Sequence, residues 1–221
     1  MFIHIVAIRT VKNNSVYFGT GFFVETQEKK KFLVTATNVA RDTTSNTDVW
    51  VRNKTTGLPY NIKINQLNKM VIWLYHPIAD IAILEVNDDS KLDLSDYVLP
   101  ISLFESTFEN VPEREETLTM YGIPDVYTNW EFAPFTCDSS PASSLWISKF
   151  DITGSEFKCF MLDKPSTQGF SGGPVMKLSQ TGGPKCYGII HGTRQDNTGG
   201  KLAIVVHSAY LFELIEYAKN T

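Results

Sequence analysis

Short apolar runs broken by turn residues set the rhythm of this chain. Val16-Tyr17-Phe18 leads through Gly19-Thr20-Gly21 to Phe22-Phe23-Val24, and Lys29-Lys30-Lys31 precedes Phe32-Leu33-Val34. Residues 48–52 and 60–64 alternate apolar and polar positions, as a half-buried strand does. Residues 71–75 and 81–86 are apolar and rich in β-branched side chains. The same texture resumes at 117–121, 146–150, 157–162, 175–178, 186–190 and 201–206. About a dozen short strands at roughly 8–12-residue spacing predict an all-β fold of sandwich or barrel type. Only the end reads as a helix: residues 208–219 carry apolar positions at helical spacing, with Ser208 placed to cap the first turn. Residues 105–116 are acidic and turn-prone and suit a crossing between two units. Residues 124–141, rich in aromatics, Pro and Ser, read as a loop region.

Composition narrows the picture. The 221 residues carry a net charge of −4, which gives no electrostatic footprint for nucleic acid. No apolar run approaches the roughly 18 residues of a membrane helix. Residues 1–8 are apolar but lack a basic start and a small-residue cleavage site, so they read as a first strand rather than a signal peptide. Three widely spaced cysteines, Cys137, Cys159 and Cys186, suggest neither a disulfide framework nor a zinc site. The expectation is reduced thiols in a cytoplasmic protein, with no metal and no cofactor.

Three segments carry candidate chemistry. Gly169-Phe170-Ser171-Gly172-Gly173-Pro174 combines a hydroxyl with glycines that permit a sharp bend. A serine hydroxyl needs a base to take its proton and donors to hold an oxyanion, and such a bend turns the amides of Gly169 and Ser171 toward one point. Asp80 opens the apolar strand Ile81-Ala82-Ile83-Leu84, where an inward carboxylate is costly unless paired. Asn38 follows Phe32-Leu33-Val34-Thr35-Ala36-Thr37 and would suit the cap of a short helical turn. Taken singly these segments also fit a tight turn, an exposed strand-initiating aspartate and an N-cap.

Together they resemble the trypsin-like serine proteases, most closely the bacterial trypsin-like peptidases, over nearly the whole chain. The resemblance implies two antiparallel six-stranded β-barrels with a C-terminal helix, in one peptidase domain spanning residues 1–221. The first barrel would cover about 1–104, the second about 117–206, and the helix 208–219. It implies a catalytic set at Asn38, Asp80 and Ser171, with Gly169 and Ser171 as the oxyanion hole. Substrate would be bound by Ser166, Thr167 and Gln168 before the nucleophile and by Ile190, His191, Gly192 and Thr193 after it. The expected partner is a protein or peptide substrate, with room for a regulatory protein, and neither nucleic acid nor membrane.

The departure from the family pattern is Asn38, which stands where the family has its histidine. An amide accepts and donates hydrogen bonds but takes no proton. Losing that histidine from a protease triad costs on the order of 10⁶ in kcat. The chain as written is therefore expected to bind peptide and barely cleave it, and Asn38→His is expected to restore cleavage. It reads as an inactivated variant of an active protease or, alternatively, as a natural pseudoprotease that binds a peptide or partner. Phe170 stands where digestive trypsins carry an aspartate, so activation through an ion pair with a freed N-terminus is not expected. No aspartate marks the base of the specificity pocket, so a Lys/Arg preference is not supported. His76 reads as a loop residue and not a substitute base. His191 lies one residue beyond the place where Glu- and Gln-specific relatives carry a histidine. Strand alternation would turn it to the other face, toward Asp80, or leave it as a structural polar residue. The rival enzyme reading is an α/β-hydrolase using Ser171, Asp196 and His207, which needs long helices before the serine that the pattern lacks.

Overall fold

The computed structural model describes residues 2–87, 92–125, 133–149, 154–178 and 183–220. Part of the expected loop region at 124–141 therefore lies outside the described residues, and residues 135–139 of it are not loop but a strand paired with residues 118–122. Two sheets dominate. The first is built from β1 (Ile5–Lys12), β2 (Ser15–Glu25), β3 (Lys31–Thr35), β4 (Asp48–Arg52), β5 (Pro59–Lys63), β6 (Trp73–Tyr75), β7 (Ala82–Glu85) and β8 (Val98–Pro100). The second contains β9 (Leu118–Gly122), β10 (Phe135–Ser139), β11 (Trp146–Lys149), β12 (Glu156–Leu162), β13 (Pro174–Leu178), β14 (Pro184–Gln195) and β15 (Lys201–His207). Three α-helices accompany them among the described residues: α1 (Thr37–Asp42), α2 (Ile64–Leu67) and α3 (Ala209–Lys219). The all-β, two-sheet architecture with a C-terminal helix is thus present, with eight and seven strands in the two sheets.

The first sheet runs β5-β4-β1-β2-β3-β7-β6 and the second β10-β9-β13-β14-β15-β12-β11, with antiparallel neighbours throughout. Among the described strands, β8 pairs parallel with the end of β2. β1 and β2 form a hairpin closed by Asn13 and Asn14, both at positive φ (52° and 62°), the backbone of a two-residue turn whose twist matches the strands.

The apolar runs fill three clusters. One lies within the first sheet around Phe23, Leu33 and Leu67, and one within the second around Phe160, Leu162 and Phe170. The third joins the two sheets, where Phe22 stacks on Phe104 at 5.7 Å and Ile189, Val206 and Leu211 meet Ile81 and Ile83. Helix α3 follows the second sheet but packs on β6 and β7 of the first, which ties the two together.

Ser208 does not cap α3. Its hydroxyl is buried and donates to the carbonyls of Glu105 and Cys186, while the Ala209 amide donates instead to His207 Nδ1 (3.1 Å). A buried hydroxyl facing two carbonyls has stronger claims than the helix end behind it.

Candidate active site

The Gly169–Gly173 turn is fixed from both sheets. Gly169 and Gly172 sit at φ of +93° and +88°, a region that side chains with a Cβ rarely adopt. A Cβ on Gly172 would collide with the Thr20 carbonyl, and one on Gly169 with the Ile123 carbonyl. Thr20, from the first sheet, pins the turn: its amide donates to the Ser171 carbonyl (2.9 Å) and its hydroxyl to the Gly169 carbonyl (2.7 Å). The same hydroxyl accepts from the Ile123 amide at 2.8 Å, and Thr35 Oγ1 donates to the Thr20 carbonyl at 2.7 Å. Phe170 is 2% exposed, packed in the core of the second sheet with its ring against Gly122. Apolar burial thus anchors this turn.

The backbone groups of the turn divide cleanly. The Gln168 carbonyl accepts from Asp125, so the Gly169 amide on the other side of that trans peptide faces away from it. The amides of Phe170, Gly172 and Gly173 donate to Thr167, Ile190 and Phe170. The Gly169 and Ser171 amides alone have no partner in the described turn, the two donors expected to hold an oxyanion.

Asp80 is 1% exposed, not a solvent-facing strand start. One carboxylate oxygen accepts the Thr37 amide at 2.8 Å, at the start of α1; the other contacts His191 Nδ1. The turn presenting Asp80 is shaped by His76, whose Nδ1 accepts the Ile78 and Ala79 amides (3.3 and 3.1 Å) and whose Nε2 meets Glu213 of α3 at 3.0 Å. Burial lowers the His76 pKa, in keeping with a ring that accepts two amides. His76 is a structural loop residue, as the sequence suggests.

Among the described residues, Asn38 is hydrogen-bonded to neither Asp80 nor Ser171. It lies exposed on the first turn of α1, and its Oδ1 accepts the Val39 amide at 2.9 Å. It lines a hollow of about 150 Å³ with Thr10, Tyr17, Asp42, Asp125 and Gln168. Ser171 Oγ instead donates to the His191 carbonyl at 3.1 Å.

The expected substrate residues fall into distinct places. Ser166 and Thr193 bond each other through their hydroxyls at 2.9 Å, across the gap between the Gly169–Gly173 turn and β14. Thr167 and Gln168 are exposed. The Ile190 side chain is fully buried in the second core; only its backbone, bonded to Gly172 and Gly173, reaches the turn. Gly192 has open space where a side chain would stand. His191, Gly192 and Thr193 border a groove of about 570 Å³, with Trp146, Ile147 and Lys149 opposite. The sequence singled out the Gly-Thr-Gly segment but not Thr20 as a pin, because a buried threonine has no signal apart from its neighbours.

The rival hydrolase set does not form. His207 is buried and bonded to Asn110 and Ala209, and Asp196 is committed to its own turn with Thr198 and Gly200. All three cysteines are free thiols, and burial pushes Cys159 and Cys186 up to about 12. Among the described residues, no group of three metal-ligating side chains gathers. No described helix is long and apolar enough to cross a membrane.

A family model described as Trypsin matches residues 4–215. The fold is similar to that of the Rv3671c protease from M. tuberculosis in its active form (TM-score 0.65, 16% identity, covering 97% of this chain and 80% of that one). It is also similar to the MamO protease domain from Magnetospirillum magneticum (TM-score 0.63, 13% identity, 96% and 95% covered). A thermostable serine protease, AL20, from an extremophilic microorganism aligns with a TM-score of 0.59 and 14% identity, covering 99% and 98%. No curated protein matches the chain in sequence.

Proposed function

The chain belongs to the trypsin family, and we propose that it is a serine-peptidase-type protein that binds an extended peptide between its two sheets and attacks it through Ser171. The observation that carries this reading is the Gly169–Gly173 turn, with its hydroxyl and two uncommitted amides held from both sheets. Asn38 stands at the family's histidine position and contributes no base. A site relying on residue 38 alone would fall on the order of 10⁶ below a complete triad, keeping about 10³–10⁴ over water from binding and the oxyanion hole.

A peptide laid along β14 would meet open space at Gly192 and the paired hydroxyls of Ser166 and Thr193. The second reading, a pseudoprotease that binds without turnover, draws on the absence of any bond from Asn38 to Asp80 or Ser171. Incubation with an unfolded protein substrate, read by mass spectrometry of the fragments, separates the two. Fragments that vanish in Ser171→Ala support the peptidase. Tight peptide binding with no fragments hands the site to the pseudoprotease.

A further inference from the structure

Resting on the peptidase reading, we infer that His191 is the general base of this site, a histidine moved from helix α1 to strand β14. Three independent observations converge on it. Its Nδ1 contacts the Asp80 carboxylate oxygen not used by Thr37, the pairing that holds and orients the imidazole in a Ser-His-Asp triad. The Ser171 hydroxyl already donates to the carbonyl of this same residue at 3.1 Å. The proposal requires Ser171 Oγ to turn about its Cα–Cβ bond from that carbonyl to His191 Nε2. Finally, His191 is the extra residue of a β-bulge: Ile190 pairs with Val205 and Gly192 with Ile204, so two steps on β14 oppose one on β15. A bulge re-aims one side chain out of strand alternation, and bulges of this kind gather beside active sites.

The exposed, outward-turned Asn38 leaves the Asp80 carboxylate to this ring. Phe157 supports the imidazole edge-on at 5.9 Å, and the side chain keeps 22% of its surface open, enough to meet substrate. The charged groups around it are Asp80 from the turn before β7, Lys149 across the groove and Arg194 on its own strand.

The step balances as follows. The Ser171 O–H bond breaks and its proton passes to His191 Nε2, while Nδ1–H stays on Asp80. Oγ bonds to the scissile carbonyl carbon, whose oxygen takes the π pair and faces the Gly169 and Ser171 amides. The imidazolium then protonates the leaving nitrogen as the C–N bond breaks, and water releases the acyl group by the reverse transfers.

The test is the pre-steady-state acylation rate with p-nitrophenyl acetate across pH, each variant checked for folding by thermal melting. The rate in the chain as written should rise through one ionisation to a plateau and vanish in Ser171→Ala. His191→Gln should lose about 100-fold or more, together with the pH dependence. His191→Ala should regain rate with added imidazole, which a purely structural role would not allow. The double change Asn38→His with His191→Ser should recover acylation relative to His191→Ser alone, because the Asp80 oxygen is then open to a ring from α1. If His191→Gln keeps the rate and profile, or imidazole gives no rescue, His191 is not the base although the peptidase reading stands. If the chain as written shows no Ser171-dependent acylation at any pH, the peptidase reading fails and the base assignment fails with it.

Discussion

Thr20 donates its amide to Ser171 and its hydroxyl to Gly169 while accepting from Ile123, so one residue of the first sheet sets the Gly169–Gly173 turn of the second. Thr20→Val keeps the shape and strands two buried backbone groups. Each unpaired group costs about 1–3 kcal/mol, so a clear drop in melting temperature is expected, with slower Ser171 acylation. An unchanged melting temperature would show that the turn does not depend on this pin. Residue identity made Ser171, its glycines and Asp80 legible in the sequence, because their chemistry is written in short local patterns. The pairing of Asp80 with His191 was only partly legible. The alternation of β14 suggested a turn of the ring, but the bulge that delivers it depends on how β14 pairs with β15, which no local pattern records.

Most strands were readable as elements because period-two patterning and turn residues are local signals. But β10 forms inside a stretch whose aromatics, Pro and Ser read as loop, and β2 runs unbroken through Gly19-Thr20-Gly21 because its sheet neighbours pair with it there. The parallel seat of β8 on β2 was not readable either, since it depends on where the chain returns after β7. The cap of α3 was misread for a related reason: Ser208 has the right residue type, but tertiary carbonyls claim its hydroxyl. The turn from Gly169 to Gly173 behaves as one rigid unit, closed by the burial of Phe170. Phe170→Ala should cost about 3–5 kcal/mol as a core cavity, and the loosened turn should acylate more slowly than the fold loss alone explains. Denaturant unfolding of the variant with a parallel acylation assay checks both. Gly172→Ala should be worse placed for function, because its Cβ meets the Thr20 carbonyl at a φ of +88°.

At the scale of the molecule, the groups that join the two sheets make stability depend on pH. Burial lowers the pKa of His76 and His207 below the ordinary 6.5. The unfolded chain therefore takes up these protons first, and stability should fall as pH drops below about 6.5. Glu105 follows in a second stage. Burial would raise it, but the bonds from Lys185, Asn110 and Thr107 outweigh that and hold it at about 2, against an ordinary 4.5. Its contribution is complete above 4.5 and drains away between there and about 2. Melting temperatures across pH 8 to 3 should show both stages, and Glu105→Gln should flatten the lower one. Equal acid sensitivity in Glu105→Gln would show that Glu105 plays no part in the lower stage.

In the proposed function, Ser171 is a working nucleophile held between the two sheets. The most direct measurement is the intact mass of the chain after exposure to a serine-directed peptidyl phosphonate, followed by mapping of the modified peptide. One adduct on Ser171, absent in Ser171→Ala and strongly slowed in His191→Gln, is the expected result. An unmodified chain, or an adduct on any residue other than Ser171, would contradict it.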